Sequence, residues 1–386
     1  MFFSDSDRLT DAGLECLSRL TKLTSLNITA TKVSAAGVAK FKLIHPDCRI
    51  DSDFTDEQIS AELAKVPPDR RAALWVLGIG GTIRIIAKTD EKSWIERIDD
   101  LPKEPFRLNH VDLNDNERVN DAGLAKLVGL SVLQVIELRG TNISDAALRH
   151  VESLISLENL VLDNNPRVTD AGLQHLKSLT RMYGLHLTGT QTTDVGLEHL
   201  AQMQRLHLLY LGQTQITGKG LQMLQGFEHL EQLAVDNTRV TESDVKILAD
   251  FKGLKLLGLS ELDISNETLG HLRGLTELEF LFLSHSDRFT DAGLKHLMNF
   301  KKLTYLGLND TGVTDAGLAQ LRELKQLTSL DLNDTEVSDA GIKDLSQLTK
   351  LTTLELSRTK VTADGIARLQ KALPDCTIKW VEGKKD

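Results

Sequence analysis

The chain has 386 residues and a formal net charge of -10 at pH 7, and only 4% of it is aromatic although leucine recurs throughout. An acidic surface disfavours a nucleic-acid backbone or an anionic membrane as the main partner, because both reward basic surfaces. Three cysteines (Cys16, Cys48, Cys376) cannot all pair, so no disulfide framework is implied and a reducing, cytoplasmic setting is expected.

The opening "MFFSDSDRLTDAGL" lacks the basic and apolar segments of a signal peptide, and no apolar run in the chain approaches membrane-spanning length. It starts part-way into a repeating pattern, so further repeats are expected upstream. Residues 1–50 read as the tail of one array, with one and a half copies of the pattern (Leu9 to Leu20, then Leu23, Leu26, Ile28) and a closing cap, "VAKFKLIHPDCRI". The chain ends on a matching cap, "IARLQKALPDCTIKW", which makes Cys48 and Cys376 equivalent buried cap residues. An open array needs such caps to stay soluble and to blunt its edge strand.

Residues 51–105 break the pattern. "TDEQISAELAKV" predicts a helix with a capping box from Thr55 to Gln58, ended by Pro67-Pro68. "DRRAALWVLGIGG" predicts a second helix ended by glycines. "TIRIIA" and "WIERI", joined by "KTDEKS", predict a hairpin. Trp75, Leu77, Ile79, Ile83, Ile85 and Trp94 would seal the first layer of a main array that begins at 106, so the segment reads as an N-terminal capping module.

From 106 to 380 the chain repeats itself every 24 or 25 residues, with copies starting at Leu108, Leu133, Leu157, Met182, Leu206, Leu230, Leu254, Leu278, Leu303, Leu327 and Leu351. The consensus is L-x-x-L-x-L-x-x-T-x-V-[ST]-D-A-G-[LI]-x-x-L-x-x-L, and residues 381–386 form a charged tail. In L-x-x-L-x-L the last two apolar residues alternate with polar ones, which predicts a short strand with those residues inward. The threonine after the strand (Thr141, Thr190, Thr214, Thr238, Thr311, Thr335, Thr359) is placed to hydrogen-bond turn backbone that would otherwise be buried unpaired. Ser or Thr before D-A-G-L reads as a helix N-cap, with the Asp at the positive end of the helix dipole. Glycine recurs at the third helical position, as at Gly123, Gly172, Gly220, Gly317 and Gly341, which predicts a close approach between neighbouring layers.

Self-similarity at this period is the leucine-rich-repeat signature. It predicts an α/β solenoid, a horseshoe with a parallel concave sheet and convex helices. "DRRAALWVLGIGGTIRI", "LPKEPFRLNHVDLNDNERVNDAGLAKL" and "ALPDCTIKW" resemble the leucine-rich-repeat proteins of planctomycete-type bacteria over nearly all of 51–380. More distantly, "VTDAGLxxL" is similar to the cysteine-containing repeats of F-box adaptors. Here, however, Thr holds the cysteine position, and 51–105 does not read as an F-box. The resemblance implies a solenoid that binds something and brings no catalytic residues with it.

No nucleophilic, nucleotide or metal motif stands out, so no catalytic residue, cofactor or metal ligand is assigned. "GIGGT" has the wrong glycine arrangement for a dinucleotide fingerprint. His150, His175 and His199 recur at one helical position, with His271 and His296 further along, and read as solvated histidines rather than a ligand set. What the repetition leaves free is the outer sheet face, at positions three, five and seven of each copy. Its two ends are acidic (Asp112, Glu137, Asp163; Asp331, Glu355). Its middle collects His186, Leu208, Tyr210, Leu256, Phe280, Phe282 and Tyr305 beside Gly184, Gly212, Gly258 and Gly307, which would leave hollows between the large side chains. Aromatic anchors ringed by polar groups are what a protein-binding hot spot needs. The expectation is therefore a non-enzymatic protein-binding scaffold whose partner carries basic groups at its edges. The alternatives are self-association through residues 1–50 or this face, and a small-ligand receptor.

Overall fold

After the first, whose strand is Arg107–Asp112, each repeat spends only three residues on its strand of the main sheet, because the consensus allows one inward residue between two outward positions before the chain must turn. In a computed structural model describing residues 1–20, 22–86 and 94–382, these strands pair in parallel, one per repeat, and short helices return on the other side. The chain divides into two units, Met1–Met182 and Tyr183–Asp386.

In the first unit, strand Ser25–Asn27 pairs in parallel with Arg49–Asp51, and helices Asp11–Cys16 and Ala35–Ile44 cover the pair. Cys48 is buried in that small core. Helix Asp56–Lys65 carries the capping box between Thr55 and Gln58, and helix Pro68–Gly78 starts on a proline at its first position. Strand Thr82–Ile86 runs antiparallel to Arg107–Asp112, and Ile83 also bridges Ile95 as expected of the hairpin. The connecting "KTDEKS" lies outside the described residues. Strands Arg107–Asp112, Val135–Glu137 and Asn159–Val161 then pair in parallel.

Trp75, Leu77, Ile79, Ile83 and Ile85 are buried as the sequence suggests, and Trp75 packs on Gly123, where a Cβ would lie 2.8 Å from its ring. Trp94 departs from expectation. It is 38% exposed and lies on the outer face, with the Arg84 guanidinium 4.1 Å above its ring and His110 edge-on at 4.6 Å. The Arg84 guanidinium over its ring gives Trp94 a cation–π contact on that face.

In the second unit the parallel strands are Gly184–His186, Leu208–Tyr210, Gln232–Ala234, Leu256–Gly258, Phe280–Phe282, Tyr305–Gly307, Ser329–Asp331, Thr353–Glu355 and Thr377–Lys379. Their central residues, such as Leu209, Leu233, Leu257, Leu281 and Leu306, are fully buried. Helix Ala363–Ala372 and the last strand close the unit over Leu373 and Cys376, and the Trp380 indole donates to the Val361 carbonyl at 3.1 Å.

Two polar ladders stitch the repeats. The threonine of each turn donates its hydroxyl to the carbonyl three residues back, as Thr141 to Leu138 (2.9 Å), Thr214 to Leu211 (2.6 Å) and Thr335 to Leu332 (2.6 Å). The second ladder is not what the dipole argument predicts. Asp121 accepts both the backbone N–H and the hydroxyl of Ser144, the N-cap of the next repeat, each at 2.6 Å. Asp145 does the same for Thr169 (2.7 and 2.8 Å), Asp291 for Thr314 (2.8 and 2.7 Å) and Asp315 for Ser338 (2.8 and 2.6 Å). The recurrent glycine is the other half of this contact. A Cβ at Gly341 would lie 2.5 Å from Asp315 Oδ1, and one at Gly172 would lie 2.5 Å from Asp145 Oδ1. The layers approach closely because a carboxylate sits between them.

Candidate functional site

Since only the central residue of each strand turns inward, its neighbours stand on the outer face in the register of the pairing. Leu208 lies beside Gln232 and then Leu256, Phe280 and Tyr305; Tyr210 lies beside Ala234 and then Gly258, Phe282 and Gly307. His186 pairs with Tyr210 from the other side. The seven residues singled out in the sequence therefore share one face, but in two groups. His186 meets Tyr210 edge-on with ring centres 4.5 Å apart, beside Leu208. Phe282 and Tyr305 lie 4.7 Å apart, and Phe280 stacks on Tyr305 at 6.4 Å, next to Leu256. Phe280 is the most open of the set at 39%, and the other six are half-buried.

Two of the glycine hollows expected between these side chains, at Gly258 and Gly307, are covered. The Tyr305 ring leans over Gly307, where a Cβ would touch its Cε1 at 3.4 Å, and a Cβ at Gly258 would run into the Asp236 carboxylate. Glycine at these places lets a neighbouring side chain lie over the backbone. Tyr210 donates its hydroxyl to Gln232. Burial, and then the charges of Asp331 and Glu355, push the Tyr305 phenol above its usual range, so it stays a neutral donor.

Two of the outer-face glutamates have hydrogen-bond partners close by. Glu355 takes hydrogen bonds from Lys379 Nζ (2.7 Å) and Asn333 Nδ2 (2.8 Å), and these hold its carboxyl below the usual range. Glu137 accepts from Asn114 at 2.5 Å and lies 2.9 Å from His110. Asp236 stands at position seven of its repeat, between Gly212 and Ser260, and burial pushes its pKa up. On the helical side, His150, His175 and His199 are half-buried, and His175 Nδ1 lies 3.1 Å from Glu152. Among the described residues no group of three or more His, Cys, Asp or Glu is placed to hold a metal ion.

A family model described as "Leucine Rich repeat" matches residues 108–128, 325–346 and 347–369. A solved leucine-rich-repeat protein of Leptospira interrogans superimposes with a TM-score of 0.50 at 18% identity, covering 94% of this chain and 91% of that one. The chain is built of leucine-rich repeats. An internalin of Listeria monocytogenes is also similar, with a TM-score of 0.49 at 18% identity over 72% of this chain and 87% of the internalin. No curated protein sequence matches the chain at a significant level. The aromatic residues occupy strand positions whose residue type changes from copy to copy within this chain. Among the described residues no helix is long and apolar enough to cross a membrane.

Proposed function

We propose that the chain is a non-enzymatic protein-binding scaffold that grips its partner on the outer sheet face, through His186, Leu208, Tyr210, Leu256, Phe280, Phe282 and Tyr305. The observation that carries this reading is the pairing register: it gathers on one face four of the chain's few aromatic residues, at positions where the fold itself asks for nothing. Solenoids use such extended faces for binding. Buried aromatic anchors of about 150–250 Å² each dominate interface energetics. The partner is a polypeptide with exposed large apolar residues and basic groups, which complement the chain's net charge of -10. Within this reading 1–50 is a partial array with its own cap, 51–105 caps a main array of eleven repeats over 106–380, and 381–386 is a charged tail. The resemblance to planctomycete-type repeats and the three unpaired thiols fit a bacterial, cytoplasmic protein.

The test is selection from a displayed random-peptide library on wild type and on a Phe280→Ser, Phe282→Ser, Tyr305→Ser variant shown by circular dichroism to be folded. Peptides selected on wild type should carry aromatic or large aliphatic residues and bind the variant at least about 100-fold more weakly, since two or more hot-spot residues are lost. Peptides that bind both proteins equally would rule this face out.

A further inference from the structure

Between its two aromatic groups the face narrows to small side chains around one carboxylate. Ala234 and Gly258 separate Tyr210 from Phe282 along the register. Adjacent strands lie about 4.8 Å apart, so these two rings rise from backbones about 14 Å apart and wall a slot with a smooth floor. Asp236 stands at its margin, between Gly212 and Ser260. Gln213 N–H donates to the Asp236 carbonyl at 2.8 Å, and Asn237 N–H donates to the Ser260 carbonyl at 2.9 Å. Asp236 Oδ1 accepts the Ser260 N–H at 2.7 Å, which turns Oδ2 over Gly258, where any larger residue would collide with it.

The carboxylate is thus bent onto the slot floor rather than out to water. Burial pushes its pKa up, the Ser260 backbone and hydroxyl partly offset this, and nearby Glu261 adds a like charge. Among the described residues no cation is paired with it, whereas elsewhere on the face Glu355 holds Lys379. A partly desolvated carboxylate without a counter-charge is costly, and an arriving cation removes that cost.

We propose that this slot takes a lysine or arginine side chain of the partner, with the aliphatic stem on Ala234 and Gly258 between Tyr210 and Phe282 and the charged head on Asp236. Long basic side chains suit such a place because their stems pack on apolar surface while the head makes a charge-assisted hydrogen bond. The inference rests on the reading of this face as a protein-binding surface, and it makes Asp236 the residue that sets specificity.

The experiment is a double-mutant cycle on peptides selected from the displayed library with wild-type protein. Asp236→Asn keeps the acceptor for Ser260 N–H and removes the charge. The selected peptides should share a Lys or Arg at a fixed spacing from their apolar anchors and bind Asp236→Asn at least about tenfold more weakly. Changing that basic residue to Gln should cost a similar factor on wild type and little on Asp236→Asn. Equal affinity for wild type and Asp236→Asn, or an equal cost of the Gln change on both, would overturn the slot assignment. In that case, continued dependence on Phe280, Phe282 and Tyr305 would leave the binding face standing. Dependence on Asp236 without dependence on those three aromatics would leave a cation on Asp236 but overturn both the Phe282 wall of the slot and the aromatic reading.

Discussion

Replacing Asn165 by alanine is expected to lower the unfolding free energy by about 2–4 kcal/mol, because it strips donors from several buried carbonyls at once. Asn165 is fully buried in a turn of a 25-residue repeat, at the place where the 24-residue repeats carry threonine. Its Nδ2 donates to the carbonyls of Leu138 (2.8 Å), Leu162 (3.0 Å) and Asp163 (3.2 Å), and its Oδ1 accepts from Thr141 Oγ1 at 3.0 Å. A threonine such as Thr214 donates to the carbonyl of its own turn, whereas this amide donates to carbonyls of two successive turns. Alanine leaves the Leu138 and Leu162 carbonyls without that donor and opens a polar void. Urea titration followed by circular dichroism measures the loss, and hydrogen exchange at residues 138–165 locates it. A loss below about 0.5 kcal/mol would show that water replaces the amide and that the turn ladder is dispensable here.

The second large effect concerns acid. The two caps align as "HPDC" at 45–48 and "LPDC" at 373–376, so a histidine stands where the second copy has leucine. Both residues end their helices alike, His45 N–H donating to the Phe41 carbonyl and Leu373 N–H to the Leu369 carbonyl, each at 2.9 Å. His45 is only 1% exposed, its ring 4.4 Å from that of Phe41, and neither ring nitrogen has a well-formed hydrogen bond, the backbone of Ser18 offering a poor one. Burial lowers its pKa from the ordinary 6.5; Ser18 opposes this, and the charge of Arg118, itself paired with Asp47, adds to it.

Above pH 6.5 the imidazole is neutral whether the chain is folded or not, and it contributes no pH dependence. Below that pH the unfolded chain binds the proton while the folded chain resists, so stability falls as pH drops towards the lowered folded value. The slope from this one group reaches at most about 1.4 kcal/mol per pH unit. His45→Leu should match or exceed wild-type stability at pH 7 and lose less on acidification to pH 5. Urea midpoints for both proteins at the two pH values check this. Parallel acid sensitivity in the two would mean that His45 is not the responsive group.

The repeat made the scaffold legible because each consensus position has one physical duty. Period-two alternation placed Tyr210, Phe280 and Phe282 on the outer face, and the pairing register agrees. The threonine ladder came from the need to satisfy turn carbonyls. The Asp ladder was not legible, because an aspartate in the first turn of a helix already has a sufficient local explanation in the dipole. Its partner, the N-cap of the next repeat, is 23 or 24 residues away. Asn165 stands in the threonine column itself, as far from Leu157 as Thr141 is from Leu133, but its spacing does not reveal that its amide joins two turns.

At the candidate site, the columns named the residues but not their grouping. Reading the glycines as hollows ignored that a neighbouring side chain can lie over the missing Cβ, as Tyr305 does at Gly307 and Asp236 at Gly258. Asp236 itself looked like one more dispersed acid, since nothing in its spacing distinguishes a carboxylate bent onto the sheet from one turned to solvent. The acidic ends misled in the opposite direction: Glu355 is matched by Lys379 from the adjacent strand.

The most direct measurement is photo-crosslinking in an extract of the source cells, with benzoylphenylalanine placed either at Phe280 on the sheet face or at Met298, which is exposed in the helical segment Lys295–Asn299. A discrete adduct from position 280, absent from position 298 and competed away by a library-selected peptide, is the expected result. Adducts that form from position 298 alone, or that the peptide leaves untouched, would contradict the assignment of binding to the outer sheet face.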